Sequence, residues 1–353
     1  MKTLAVKYRP QTFADVTEQE SIKVILQQQL KSGDVKNAYL FTGGAGTGKT
    51  TCARIFANEI NKGEGNPIEM DAASNSGVDD VRNIIQQAKT KSLDSEYKVF
   101  IIDECHSISN TGWQAFLKLI EEPPAKSIFI FCTTNPERVP KTILSRVQRY
   151  DFHRISQSGI VERLQHICQC ELDESEEHNW MIVEEEALEY IAKIADGGMR
   201  DAITMMDKCL AYSTELMLEN VVKALGMFDY DTYFHLTDAV MRNDPKAVVM
   251  IIEGLHCGGK DLKQFTREYC KFIIDLNKYA SGASWQYISI PQTHHYETEM
   301  KTYAADHSDC LYDLLETVVE LDSKMRYSTS PHYDIEASIL LMLGKESLNG
   351  RTE

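Results

Sequence analysis

The stretch Gly43-Gly44-Ala45-Gly46-Thr47-Gly48-Lys49-Thr50 matches G-x-x-x-x-G-K-[ST], a loop that wraps around phosphate. Its glycines let the backbone turn N–H groups inward, and the N-terminus of a following helix adds partial positive charge. Lys49 can reach the terminal phosphates of a nucleotide, and Thr50 can offer its hydroxyl to Mg2+. Further on, Asp103-Glu104 ends the apolar run Val99-Phe100-Ile101-Ile102. An acid in that position suits the metal side of a nucleotide, and its neighbour can polarise a water for attack on the γ-phosphate. Either feature alone is weak, because glycine-rich turns and acidic strand ends are common. Together they point to an NTPase or a phosphotransferase.

These residues need strands that end beside helices that begin. Ala38-Tyr39-Leu40-Phe41 reads as a buried strand before the loop, and residues 51–60 read as a helix after it. An extended segment is expected at Lys7-Tyr8-Arg9-Pro10, since proline disfavours helix at the residue before it. Ile22, Ile25, Leu26 and Leu30 then share a helical face that Gly33 can end. Ile68-Glu69-Met70-Asp71 is a short strand candidate, and Val78, Val81, Ile84, Ile85 and Ala88 mark an amphipathic helix. After the Val99–Glu104 strand comes a helix with Trp113, Phe116, Leu117 and Ile120, stopped by Pro123-Pro124. Ile128-Phe129-Ile130-Phe131-Cys132 is a further strand, followed by Thr133-Thr134-Asn135. Continuous apolar runs fit parallel strands buried on both faces, with ligands at their C-terminal ends. Residues 157–225 read as helices, interrupted by a solvated acidic loop from Glu171 to His178 and by Gly197-Gly198. Helical periodicity continues from Phe228, as in Phe265, Tyr269, Phe272, Ile273 and Leu276.

The expected fold class is therefore α/β + α: a parallel sheet with helices on both faces, a small helical domain and a larger helical domain. The boundaries fall at residues 1–153, 154–226 and 227–353. A chain of 353 residues is long enough for two or three domains, and 43% hydrophobic with 25% charged residues is a globular composition. No apolar run approaches the roughly 20 residues of a membrane span, and Met1-Lys2-Thr3-Leu4 begins no secretory signal. The nine cysteines form no C-x-x-C pair, which fits a reducing cytoplasm. Net charge is −16, against bulk coating of nucleic acid. Residues 1–153 carry 19 Lys and Arg against 18 Asp and Glu, and residues 154–353 carry 18 against 35. Any contact with a polyanion is thus expected from local groups in the N-terminal part.

Asp103-Glu104-Cys105-His106, Leu117-Lys118-Leu119-Ile120-Glu121-Glu122-Pro123-Pro124, Thr133-Thr134-Asn135-Pro136 and Ile143-Leu144-Ser145-Arg146 occur in this order. With Tyr8-Arg9-Pro10 and Gly197-Gly198-Met199-Arg200-Asp201-Ala202, they resemble the gamma/tau subunit of the bacterial DNA polymerase III clamp loader. The resemblance is specific over about residues 1–225 and general beyond. It implies an AAA+ ATPase with a helical lid and a C-terminal collar, using ATP and Mg2+. Tyr8, Arg9 and Pro10 would border the adenine. Gly43, Gly46, Thr47, Gly48, Lys49, Thr50 and Thr51 would hold the phosphates, with Thr50 and Asp103 on the Mg2+ side. Glu104 would activate water, Thr134 would sense the γ-phosphate and Arg200 would contact phosphate in cis. Arg146 would be an arginine finger presented to a neighbour's ATP. The implied partners are other loader subunits in a pentamer-like assembly through the collar, a sliding clamp and primer–template DNA, with no membrane. Ser109, Asn110 and Thr111, at a helix start, are candidates for DNA phosphate, with simple capping the competing role.

The sequence also departs from that pattern. The interval Asn61-Lys62-Gly63-Glu64-Gly65-Asn66-Pro67 stands where relatives carry a four-cysteine zinc module, so no zinc is expected there or elsewhere. Val147 follows Arg146 where a cysteine is common, and Ser74-Asn75-Ser76-Gly77 lacks basic residues. The whole reads as a short form, in the cytoplasm of a bacterium or a virus-infected host. A branch-migration helicase of the AAA+ class shares the ATP site and is the main alternative. A non-hydrolysing loader subunit is disfavoured by the intact Lys49, Thr50, Asp103 and Glu104.

Overall fold

The computed structural model describes residues 3–75, 77–92, 94–174, 181–225, 230–290, 294–306 and 308–349. The chain divides into two compact units, Met1–Met217 and Leu218–Glu353.

In the first unit the elements run α1 (Leu4–Lys7), α2 (Glu20–Ser32), β1 (Ala38–Gly43), α3 (Lys49–Ile60), β2 (Ile68–Asp71), α4 (Val78–Ala88), β3 (Lys98–Asp103), α5 (Asn110–Glu121), β4 (Ser127–Thr133), α6 (Lys141–Leu144) and β5 (Gln148–Phe152). A lid of α7 (Gln157–Glu174), β6 (Ile182–Val183), α8 (Glu185–Ile194), α9 (Met199–Tyr212) and β7 (Glu215–Leu216) follows. The five long strands form one parallel sheet in the order β2-β3-β4-β1-β5. Alternate residues feed two cores, as strand geometry requires. Tyr39, Phe41, Val99, Ile101, Ile128 and Ile130 pack with Phe56 on one face. Leu40, Phe100, Ile102, Phe129 and Phe131 pack with Trp113 and Phe116 on the other. Burial on both faces is why these strands read as unbroken apolar runs. β1 lies between β4 and β5, but the chain leaves it for β2 at the far edge. The loop after β1 therefore opens at a switch point of the sheet, where open α/β sheets bind ligands.

Four local expectations change. Lys7, expected at the start of an extended segment, instead ends the helix Leu4–Lys7: the constraint of Pro10 acts on Arg9, while the buried Leu4 holds α1, its backbone N–H donating to Asp207 Oδ2 at 3.2 Å. Glu171 is not in a loop, because α7 runs on to Glu174 and Lys7 Nζ donates to Glu171 and Glu174 at 2.7 and 2.6 Å; residues 175–178 lie outside the described residues. β5 joins the sheet unforeseen, as an edge strand in which only Tyr150 and Phe152 are buried. Ile182–Val183 and Glu215–Leu216 form a short parallel pair inside the otherwise helical lid. Of the first helical face, Ile22 and Leu26 are buried, whereas Ile25 is exposed.

The second unit is helical: α10 (Leu218–Leu225), α11 (Tyr230–Met241), α12 (Pro245–Cys257), α13 (Leu262–Ala280), α14 (His294–Asp306), α15 (Ser308–Met325) and α16 (Pro331–Asn349). Phe228 lies outside the described residues. The period of Phe265, Tyr269, Phe272, Ile273 and Leu276 turns one face of α13 into the centre of this core. Tyr233 and Phe234 of α11, Leu314 and Val318 of α15, and Ile335 and Ile339 of α16 complete it. Asp244 and Asp261 cap α12 and α13, each accepting two backbone N–H bonds. No helix among the described residues is long and apolar enough to cross a membrane.

Candidate nucleotide site

The loop between β1 and α3 turns on glycine. Gly43 has φ +145°, and a Cβ there would lie 2.4 Å from the carbonyl oxygen of Phe152. Gly46 has φ +70°, and a Cβ there would lie 3.0 Å from Gly198 Cα in the lid. Only glycine suits both positions. Thr47 braces the loop, its hydroxyl donating to the Gly44 carbonyl at 2.9 Å. Lys49 is 6% exposed, and its Nζ donates to the carbonyls of Gly43 and Gly44 at 2.9 and 2.6 Å. Burial pushes the pKa of this ammonium below its ordinary value. A buried cation solvated by neutral carbonyls leaves a charge for an anion to balance.

The end of β3 faces this loop. Thr50 Oγ1 donates to Asp103 Oδ2 at 2.7 Å, and Asp103 Oδ1 accepts the backbone N–H of Glu104 at 3.0 Å. Glu104 leaves the strand with φ +45°, an uncommon conformation for a residue with a Cβ. Its Oε2 accepts the Thr134 hydroxyl at 3.2 Å and lies 3.2 Å from His106 Nδ1, which also meets Thr133 Oγ1 at 3.1 Å. Two strand ends and one short turn thus fix this carboxylate. Nothing in the motif Asp103-Glu104-Cys105-His106 itself signals this contact of His106.

A cavity of about 270 Å3 joins the loop to the lid. Tyr8, Arg9, Pro10, Gly46, Thr47, Gly48, Lys49, Thr50, Thr51, Asp103, Glu104 and Arg200 line it, so most of the site residues expected from sequence come together. The lid meets the loop directly: the Met199 N–H donates to the Gly46 carbonyl at 3.1 Å. Arg9 has its pKa lowered by burial and by the nearby charges of Arg54 and Arg200. Tyr8 has its pKa pushed up to about 12 by burial and by Glu171. Sequence reasoning missed Val16, Ile155 and Ile203, which give the cavity apolar walls, and Arg163, whose guanidinium donates to the Tyr8 carbonyl at 2.9 Å. They come from four separate segments, and no spacing links them.

Thr134 reaches the site through Glu104 and is not itself in the cavity lining. Arg146 is also absent from the lining. It is 40% exposed, pairs with Glu121 at 2.8 Å and donates to the Thr142 carbonyl at 2.8 Å. Ser109 caps α5 by accepting the Gly112 N–H at 3.2 Å, and its Oγ lies 3.1 Å from Thr111 Oγ1. The Ser109–Thr111 helix start does not line the cavity either.

Residues 66–156 match the family model of the DNA polymerase III delta subunit, and residues 159–215 match that of the DNA polymerase III clamp loader subunit, ATPase lid domain. The chain is 32% identical to DNA polymerase III subunit tau of Bacillus subtilis, over 94% of this chain and 62% of that protein. It is 33% identical to DNA polymerase III subunit gamma/tau of Mycobacterium tuberculosis, over 76% of this chain and 50% of the relative. It is 28% identical to DNA polymerase III subunit gamma of Buchnera aphidicola, over 96% of this chain and 98% of that protein. The chain thus spans between half and two thirds of the length of the Bacillus and Mycobacterium relatives. Among solved structures, the RuvB Holliday junction branch migration motor of Thermotoga maritima superposes with TM-score 0.50 at 18% identity, over 72% of this chain and 86% of that one; this is a likeness of fold. The phosphate loop, the acids at the end of β3 and the adjoining lid, built on the AAA+ fold, are the features that this chain shares in sequence with these DNA polymerase III gamma/tau subunits.

Proposed function

We propose that this chain is an ATP-driven clamp-loader subunit, which helps to open a sliding clamp and load it onto primer–template DNA. The observation that carries the reading is the buried Lys49 ammonium, held among the described residues by loop carbonyls beside the Thr50–Asp103 pair. That arrangement fits a nucleotide triphosphate with its Mg2+. The loop N–H groups from Gly43 to Thr51 and Lys49 hold the phosphates, while Thr50 and Asp103 offer oxygen ligands. Bound Mg2+ supplies neutralisation of phosphate charge. Tyr8, Arg9 and Pro10, with the apolar Val16, Ile155 and Ile203, accept the flat base.

Turnover belongs to Glu104. Its carboxylate orients a water and draws its proton as the water attacks, and Thr134 and His106 keep it aimed. Thr134 also senses the γ-phosphate. Arg200, at the start of α9, brings positive charge to the same phosphates from the lid. Arg146, outside the cavity and parked on Glu121, serves the site of a neighbouring subunit. From residue 227 on, the helical second unit acts as the collar that joins subunits in a pentamer-like ring, and the N-terminus of α5 at Ser109, Asn110 and Thr111 faces DNA phosphates. Residues 1–153, 154–226 and 227–353 divide these tasks.

The branch-migration alternative is weaker. The likeness to that motor lies in the fold, whereas the lid matches the clamp-loader domain. ATPase rate is the test, measured on the chain with its partner subunits, with and without primed DNA and the cognate clamp. The loader reading expects strong stimulation only when DNA and clamp are both present. Stimulation by branched DNA alone supports the motor, and no hydrolysis under any condition overturns both.

A further inference from the structure

The end of α12 and the start of α16 meet in a cluster unrelated to the nucleotide site. Glu253 stands on α12, and His332 and Glu336 stand one turn apart on the same face of α16. His332 Nε2 lies 3.2 Å from Glu253 Oε1 and 3.4 Å from Glu336 Oε1. These are ion-pair distances. Yet His332 Nε2 and Glu336 Oε1 are enclosed and make no hydrogen bond among the described residues, because the carboxylates lie off the line a ring N–H needs. All three donor atoms fall within 4.8 Å of one another.

We propose that this cluster is a divalent metal site, with Zn2+ as its ion, clasping α12 to α16. Bonds of about 2.0–2.1 Å from His nitrogen and Glu oxygen in a tetrahedral site set the donors about 3.3 Å apart. The observed separations of 3.2 and 3.4 Å match that spacing. A proton on Nε2 serves one acceptor along one direction, whereas a cation at the centre meets all three donors. Two carboxylates and a neutral imidazole also balance its charge. Sites of this kind in helical bundles use side chains on facing helices at such one-turn spacings.

The surroundings fix the donors. His256 stacks on His332 with ring centroids 4.4 Å apart and an interplanar angle of 6°. The Cys257 thiol donates to Glu253 Oε2 at 3.8 Å. Such second contacts hold ligands in orientation. Glu253 is 47% exposed, against 12% for His332 and 16% for Glu336, so the site opens to water on one side. Mg2+ is a poor competitor, since it prefers an octahedron of oxygens. The absence of zinc expected from cysteine spacing does not bear on this set, which contains no cysteine ligand.

The test is titration of Zn2+ into the metal-stripped full chain in Mg2+-containing buffer, followed by calorimetry and thermal unfolding. One tight equivalent is expected, with a rise in the unfolding temperature, because an ion bound only by the folded state stabilises it. Glu253→Gln, on the open side of the site, spares folding; His332→Gln removes the central ligand. Each should weaken binding at least about 100-fold and erase the thermal shift, with ATP binding unchanged. If His332→Gln fails to fold, Glu253→Gln decides alone. No tight equivalent in the wild type, or wild-type affinity in Glu253→Gln, overturns the proposal.

Discussion

Lys49 and His332 are both largely enclosed, and their surroundings differ in kind. Lys49 is solvated by neutral carbonyls, with no carboxylate in hydrogen-bond contact among the described residues. His332 faces two carboxylates and, among the described residues, makes no hydrogen bond through Nε2. A cation held by dipoles is arranged for an anion, and donors crowded on one another are arranged for a cation. The first arrangement sits in contiguous motifs at strand ends. The second is assembled from two helices distant in sequence. Buried charge therefore indicates the sign of a ligand only when its immediate partners are read with it.

The contrast can be broken at several places. Arg146→Ala has the largest expected effect: a finger supplied to a neighbour is worth about 10³- to 10⁵-fold in turnover. In assemblies mixed with wild-type subunits, the variant should hydrolyse ATP at its own site and fail to activate the adjacent one, which site-resolved hydrolysis would read. A dead own site beside an intact neighbour would mean action in cis. Glu104→Gln should lower single-turnover hydrolysis by about 10²- to 10⁴-fold, the usual worth of a positioned base. In the helical unit, Asp275 is a buried charge that is already satisfied, accepting the Ser289 N–H at 2.6 Å and Lys278 Nζ at 2.9 Å. Asp275→Ala should cost about 2 kcal/mol in chemical denaturation of that unit. Lys49→Met should have the smallest effect and the opposite sign, raising the unfolding temperature of the nucleotide-free first unit by about 2–4 °C. Since burial lowers the folded pKa of Lys49, its cost is full below that lowered value. The gain in the variant should fade as pH rises from that lowered value towards 10.5.

Much of the first unit was legible because its strands are buried on both faces and its motif residues are neighbours in the chain. β5 escaped because an edge strand buries little more than Tyr150 and Phe152 and so carries no apolar run. α1 escaped because four residues are too few for periodicity, and its stability comes from Leu4 and Asp207. Glu171 looks like loop in the sequence because acidic residues look solvated until Lys7, far away in sequence, pairs with them. In the cavity, Lys49, Asp103 and Glu104 could be named in advance, while Val16, Ile155, Arg163 and Ile203 could not. Their side chains acquire a common purpose only when the lid comes down on the loop.

The central claim is that Lys49 holds nucleotide in the ground state while Glu104 serves only turnover. Equilibrium binding of ATP with Mg2+ to Lys49→Ala and Glu104→Gln, measured side by side with the wild type, tests it most directly. The account predicts that Lys49→Ala loses binding and that Glu104→Gln binds as the wild type does while hydrolysing about 10²- to 10⁴-fold more slowly. Wild-type affinity in Lys49→Ala, or wild-type hydrolysis in Glu104→Gln, would contradict it.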